Sequence, residues 1–400
     1  MKKKKILLQC QGIAYYYMGL AAIYTKYPDR NVDIDVAFSS SKVDMDFKPF
    51  TDKIEQSKYV NNVFSIRFVR PYLYDRLASV PKNFGTYLKY RFRYKRDIIK
   101  KTKEQLSFYK TKYSEIFFSH EQGSMLITSL KFLYPKAKFI AYGDGAGLIS
   151  GRKFLITDKK VNDYIFFKEI IPDEIIALTV YMLDDSLDIG EIPISGTDKD
   201  TYADLVKNDE LIQKEVNDYA DGILSKYDNR QITILMTDNL SWYLYNMSED
   251  EQINIYVDII ERYCSDNGVV ILKTHPSNDE LFIQNIKSRC RKNIEIMEMP
   301  KTLKKYPIEI FYKLLKNTEN IVTFLSSAKV ALKCIYDVDC IDAYDVIQKY
   351  PLKNYANIIL NAYQNICDRI SCWDKRSIIY EENINPKLTE IYEKYTKVSD

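Results

Sequence analysis

Apolar positions along the first third of the chain alternate between two periods. Lys4 to Gln9 is a short apolar run and Val32 to Phe38 (VDIDVAF) alternates strictly, so both predict strands. Gly12 to Tyr27, between them, carries helical spacing after a short turn. Val60 to Phe68 is a third strand, followed by a long basic helix and then by Ser114 to Ser119 (SEIFFS). Gln122 to Leu133 resumes the helical period, and Ala137 to Tyr142 (AKFIAY) is a strand that stops at Gly143-Asp144-Gly145. Strands separated by helices at this pitch predict parallel βαβ units rather than a sandwich.

A second series starts further on. Asp198 to Leu224 predicts one acidic helix, and Ser225 to Gln231 has turn chemistry. Ile232 to Met236 (ITILM) is a buried strand, Asp250 to Cys264 a helix, and Val269 to Lys273 (VVILK) a strand that ends at Thr274-His275-Pro276. Asn293 to Met297 and Asn320 to Leu325 (NIVTFL) repeat the pattern, the latter opening through Ser326-Ser327 into a helix to Tyr336. The fold class expected is therefore α/β, with two Rossmann-type doubly wound domains, residues 1–225 and 226–400, facing a central cleft. Tyr355 to Ile370 and Pro386 to Tyr395 are terminal helices expected to pack back on the first domain.

Composition changes this picture little. Four hundred residues exceed one ordinary core, and 46% hydrophobic with 28% charged residues argues against disorder. The longest apolar run, Ile175 to Leu183 with Thr179 inside it, is nine residues, against the ~20 a spanning helix needs. The lysines at positions 2–5 imitate the start of an export signal, but Gln9 breaks the apolar stretch behind them, so a cytoplasmic protein is expected. Seven Cys without a CxxC pair speak against a disulfide framework and a zinc site.

Charge is more informative. Lys82 to Lys112 holds eleven Lys or Arg against two acids, while Asp184 to Asp218 holds eleven acids against three Lys. The basic block interleaves Tyr87, Tyr90, Phe92, Tyr94 and Tyr109 with its cations. It suits an anionic membrane surface or an acidic acceptor, and equally a solvated helix face with aromatic stems packed beneath. Nucleic acid ranks last, because no motif for it is present.

Candidate chemistry sits where predicted strands stop. The two His of the chain, His120 and His275, both follow strands, where open α/β sheets present ligand-binding groups. Pro276 fixes the chain beyond His275, and Ser277-Asn278 offer a cap to the helix that follows. Ser326 and Ser327 stand at a helix start, one to cap it and one to meet an anion held by N–H groups behind them. Asp144 lies between Gly143 and Gly145, which let the backbone approach a ligand; the plain alternative is a turn. A GxGxxG fingerprint, a Walker loop and a GxSxG elbow are all absent. Asp337-Val338-Asp339 matches DxD formally, but its place after a helix predicts a loop with a solvated acid pair.

In order and context these elements resemble the bacterial sialyltransferases that share an HP motif, which include the lipooligosaccharide sialyltransferases of glycosyltransferase family 52 and the capsular polysialyltransferases. Their acidic triplet ending in Gly, their HP dipeptide and their later Ser pair correspond to Gly143-Asp144-Gly145, His275-Pro276 and Ser326-Ser327. One departure stands out: Gly143 replaces the usual first acid. The resemblance implies a GT-B-like enzyme that moves sialic acid from CMP-sialic acid, with inversion and without a metal or other cofactor, to a cell-surface glycan. Asp144 would be the general base and His275 the general acid or phosphate stabiliser, with Pro276, Ser326, Ser327 and Gly145 on the donor. The acceptor implied is lipooligosaccharide, O-antigen or capsule, reached from the inner membrane face through residues 82–112. Rivals are a transferase using another CMP- or CDP-linked donor (Kdo, another nonulosonic acid, a polyol phosphate) and a non-catalytic binding protein.

Overall fold

The computed structural model describes residues 3–10, 12–40, 48–67, 96–97, 99–119, 125–143, 172–179, 192–238, 240–274, 280–290, 293–324 and 326–371. The chain divides into two compact units, the first running through Tyr202 and the second starting at Ala203.

The first unit is built on β1 (Lys4–Cys10), followed by α1 (Ala14–Lys26), β2 (Val32–Ser40), α2 (Lys48–Ile54) and β3 (Asn62–Arg67). After these come β4 (Glu115–Ser119), α3 (Met125–Leu133), β5 (Lys138–Gly143), β6 (Glu174–Ala177) and β7 (Ile194–Gly196). The sheet order is β3-β2-β1-β4-β5-β6-β7, parallel throughout. Buried on both faces, these strands read as continuous apolar runs, as in KFIAYG and EIFFS. α1 lies close against the sheet because Gly19 has no side chain: a Cβ there would meet Leu8 Cδ1 at 2.3 Å and Tyr142 Cζ at 2.9 Å. Tyr16 of α1, Phe38 of β2 and Phe50 of α2 pack on one another, edge to face or tilted.

The chain enters the second unit within α4 (Lys199–Lys207), which is followed by α5 (Glu210–Lys226). Sequence periodicity predicts one helix here; there are two. Asp209 is the reason, since its carboxylate accepts a hydrogen bond from Ile212 N at 3.4 Å and its backbone leaves the helical region at φ −83°, ψ 84°. Then come β8 (Ile232–Met236), α6 (Glu249–Tyr263), β9 (Val269–Lys273), α7 (Glu280–Arg289), β10 (Glu295–Glu298), β11 (Asn320–Thr323), α8 (Ala328–Tyr336), β12 (Ile341–Asp342) and α9 (Asn354–Ser371). α6 starts on a full capping box, Ser248 with Glu251, and buries Ile253, Tyr256, Val257 and Ile260 along one stripe. The second sheet, β10-β9-β8-β11-β12, is also wholly parallel.

Both units are thus Rossmann-type and doubly wound, the GT-B-like construction expected. In each the strand order reverses beside the first strand, between β1 and β4 and between β8 and β11. Ligands of such sheets bind beyond the strand C-termini at that reversal. Of the expected basic helix, residues 96–97 and 99–105 are helical and residues 82–95 lie outside the described residues, as does the helix expected at 386–395. Among the described residues no helix is long and apolar enough to cross a membrane.

Candidate active site

In the second unit the ends of β8, β9 and β11 are level. Met236 pairs with Lys273 and Leu235 with Val322, so Thr237 and Thr274 emerge side by side just beyond β8 and β9, while Thr323, the last residue of β11, stands one position back, level with Met236. Thr237 N donates to Lys273 O at 3.2 Å, extending the β8–β9 ladder by one residue. Asp238 is held by Tyr256, whose hydroxyl donates to its carbonyl at 2.8 Å; burial pushes that phenol well above its usual range. The Thr323 hydroxyl is buried with no hydrogen-bond partner among the described residues. Thr237, Asp238 and Thr323 are site candidates that motif reasoning passes over, although the strand-end rule applied to ITILM and NIVT points to them.

At the end of β9 a polar cluster gathers. Thr274 is 2% exposed, and its hydroxyl donates to Glu298 Oε1 at 2.8 Å. Lys304 Nζ donates to the same oxygen at 2.7 Å and to Thr274 Oγ1 at 3.3 Å. Lys273 Nζ donates to the Lys304 carbonyl at 2.9 Å. Burial pushes the Lys273 ammonium down to about 8, with Glu309 opposing the shift and Lys304 adding to it. His275 and Pro276 follow directly in the chain and lie outside the described residues, as do His120, Asp144, Gly145, Ser277 and Asn278.

Ser326 and Ser327 come together at the start of α8. Ser327 occupies the N-cap position, but the side-chain bond comes from Ser326, whose Oγ accepts from Ala328 N at 3.3 Å. The N–H groups expected to be open behind them are engaged. Lys329 N bonds Ser326 O, while Val330 N and Ala331 N bond Ser327 O at 3.0 and 3.2 Å, the tight turn of a helix start. Positive charge at this end comes from Lys329, 3% exposed and paired with Asp342 at 2.8 Å. Asp337 and Asp339 both salt-bridge Lys333, at 2.8 and 3.0 Å, and Asp337 closes α8 in the left-handed conformation at φ 56°. The acid pair is a helix terminus. Among the described residues no three His, Cys, Asp or Glu converge to hold a metal ion.

In the first unit Gln9 ties the strand ends together. Its Nε2 donates to Ser39 Oγ at 2.8 Å, its Oε1 accepts from Ser119 N at 3.3 Å, and its carbonyl accepts from the Tyr142 hydroxyl at 2.8 Å. Burial pushes the Cys10 thiol beside it up to about 12, so it is inert as a nucleophile. From this braced edge the chain continues to His120 after β4 and to Asp144 after β5. Gly143, the last residue of β5, sits at φ 152°.

Residues 198–344 match a family model. The matched family is alpha-2,8-polysialyltransferase (POLYST). The match contains His275-Pro276 and Ser326-Ser327, two of the three elements on which the resemblance rests; Gly143-Asp144-Gly145 lies before it. It supports the bacterial sialyltransferase group and, at the level of class, a glycosyltransferase with a nucleotide-sugar donor and a glycan acceptor. No curated protein matches. Among solved structures, the UDP-GlcNAc 2-epimerase of Methanocaldococcus jannaschii is similar at 13% identity and a TM-score of 0.49, over 98% of this chain and 99% of that one. The sialyltransferase of Photobacterium damsela is similar at 12% identity and 0.48, over 91% and 80%. A glycosyltransferase of Rickettsia africae gives 12% and 0.43, over the full length of both.

Proposed function

We propose that this chain is an inverting sialyltransferase that moves sialic acid from CMP-sialic acid to a hydroxyl of a cell-surface glycan such as lipooligosaccharide, O-antigen or capsule. The observation that carries the reading is the family match over the second unit, which spans the HP and Ser-Ser motifs that follow β9 and β11. Asp144 takes the proton of the attacking hydroxyl as general base. His275 meets the departing CMP phosphate, as acid or as charge stabiliser. Pro276, Ser326 and Ser327 hold the donor, and Gly145 leaves room for its approach. One leaving phosphate carries little enough charge for an imidazole and hydroxyls to meet it. The exposed basic face around residues 96–103 holds the enzyme at the anionic inner membrane surface, where lipid-linked acceptors are extended.

A second reading keeps the chemistry and changes the donor to another CMP- or CDP-linked sugar or polyol. It is favoured by one observation, Gly143 in place of the usual first acid. The test is CMP release from CMP-sialic acid by the purified protein, first alone and then with galactosides and sialosides. Wild type should release CMP, and His275→Ala and Asp144→Ala should each lose roughly 100-fold or more. Release unaffected by His275→Ala would overturn the assignment of His275. No release with any acceptor, against release from a different CMP- or CDP-donor, would select the second reading.

A further inference from the structure

We infer that the buried Lys329–Asp342 pair is a strut that positions Ser326 at the start of α8. The inference rests on the proposed function, in which Ser326 and Ser327 hold the donor. Lys329 is the second residue of α8 and is 3% exposed, and its Nζ donates to Asp342 Oδ2 at 2.8 Å. The same ammonium lies 6.0 Å from the centroid of the buried Tyr363 ring of α9. A cation in the first turn of a helix opposes the macrodipole. An ion pair withdrawn from water is seldom the most stable filling for its volume; apolar residues of the same size commonly do as well or better. Neither effect favours a lysine here, but its position gives it a use.

Both ends of the strut are anchored. Asp342 is the last residue of β12 and pairs in register with Thr323, the last residue of β11. Ala343 N donates to Thr323 O at 3.0 Å, carrying that ladder one residue further. Burial raises the Asp342 carboxyl above its ordinary range, and the Lys329 ammonium opposes the shift. At the other end, Lys329 N donates to Ser326 O at 3.3 Å, and Ala328 N donates to Ser326 Oγ at 3.3 Å. Ser326 is therefore held twice, by the residue that carries the ammonium and by the residue before it. With Ala328 N bonded to Oγ, the directions open to the Ser326 O–H depend on where these two residues stand. Sheet, ion pair and serine make one connected path, from β11 to β12, from β12 to Lys329 and from Lys329 to Ser326.

The test uses the full chain with CMP as the probe, read by calorimetry. The double variant Lys329→Met with Asp342→Leu makes the pair apolar at similar volume, so its urea midpoint should stay at or above that of wild type. CMP should nevertheless bind it roughly 10- to 100-fold more weakly. Amide exchange over residues 326–331, followed by mass spectrometry, should quicken by about tenfold or more. Should the double variant not fold, Asp342→Asn, which keeps the shape and removes the charge, should show both changes at smaller size. A folded variant of either kind whose exchange over 326–331 matches wild type overturns the strut, whatever CMP does. One whose exchange quickens while CMP affinity holds overturns its bearing on the donor. If wild type binds neither CMP nor any CMP- or CDP-linked donor, the proposed function fails, while the exchange still decides the positioning claim.

Discussion

Gly143 ends β5 at φ 152°, a backbone state that side-chain-bearing residues adopt only under strain. That gives the missing first acid a physical account: the backbone at the last residue of β5 suits glycine. Restoring the acid as Gly143→Glu should therefore cost about 1–3 kcal/mol in a urea titration. It should also lower CMP release, because the strain is relieved by moving the residue that precedes the proposed base. A Gly143→Glu protein as stable as wild type would show that the end of β5 does not depend on glycine. Lys273 makes a complementary point. A lysine at a strand end is usually unremarked, yet burial brings it to about 8, a property set by tertiary surroundings and invisible in VVILK.

At the scale of elements, the base of the second sheet is joined by Glu295, which opens β10. Its carboxylate accepts from the Tyr227 hydroxyl, from Arg230 at 2.7 Å and from Lys226 at 3.2 Å. The Tyr227 bond first, then Arg230 and Lys226, hold its pKa down to about 2 from an ordinary 4.5, against the opposing effect of burial. A carboxylate depressed on folding adds stability above its unfolded pKa and loses it as pH falls through the folded one. The stability gap between wild type and Glu295→Gln should thus be steady at neutral pH and shrink between pH 4.5 and about 2. The side chain is 41% exposed, so the gap itself should stay below about 1 kcal/mol. A gap that widens in acid would reverse the sign. Within α1, Gly19→Ala should destabilise by about 1–3 kcal/mol, since the new methyl has to displace Leu8 and the Tyr142 ring.

Elements also show what was legible beforehand. Strands buried on both faces, such as ITILM and VVILK, are plain in the sequence because their apolar runs end in turn residues. β6 and β7 were not. EIIA opens the apolar run to Leu183, whose length invites comparison with a membrane span, and ISG is too short to carry a period. The break at Asp209 was hidden because its acid neighbours continue the helical pattern on either side, and capping depends on backbone geometry. For the site, the motifs at strand ends were readable as residues. The hydrogen bonds that Gln9, Thr274, Glu298 and Lys304 make at those strand ends were not, since they join segments up to 133 positions apart.

For the molecule as a whole, the formal charge of +3 is a near-balance of opposed blocks, +9 over residues 82–112 against −6 for the remainder. Arg96, Lys100, Lys101 and Lys103 are exposed, while Thr102 and Leu106 are buried, so the helical segment keeps its cations outward and its apolar side inward. Lys101 pairs with Glu104 at 3.2 Å, an exposed contact too weak to neutralise the face. The segment is therefore a solvated face that carries positive charge, and a membrane or acceptor role for it is a prediction. Membrane attraction of about 1 kcal/mol per basic residue makes the membrane role measurable. Changing these four to Glu should remove at least ~4 kcal/mol, a drop of about 1,000-fold in partition onto anionic vesicles. For wild type, binding should weaken as salt shortens the Debye length from about 10 Å at 0.1 M to about 3 Å at 1 M. CMP release with a soluble acceptor should be unchanged in the variant, because the face acts on location. A variant that pelleted like wild type would dismiss the membrane role, and one that instead lost affinity for an anionic soluble acceptor would assign the face to the acceptor chain.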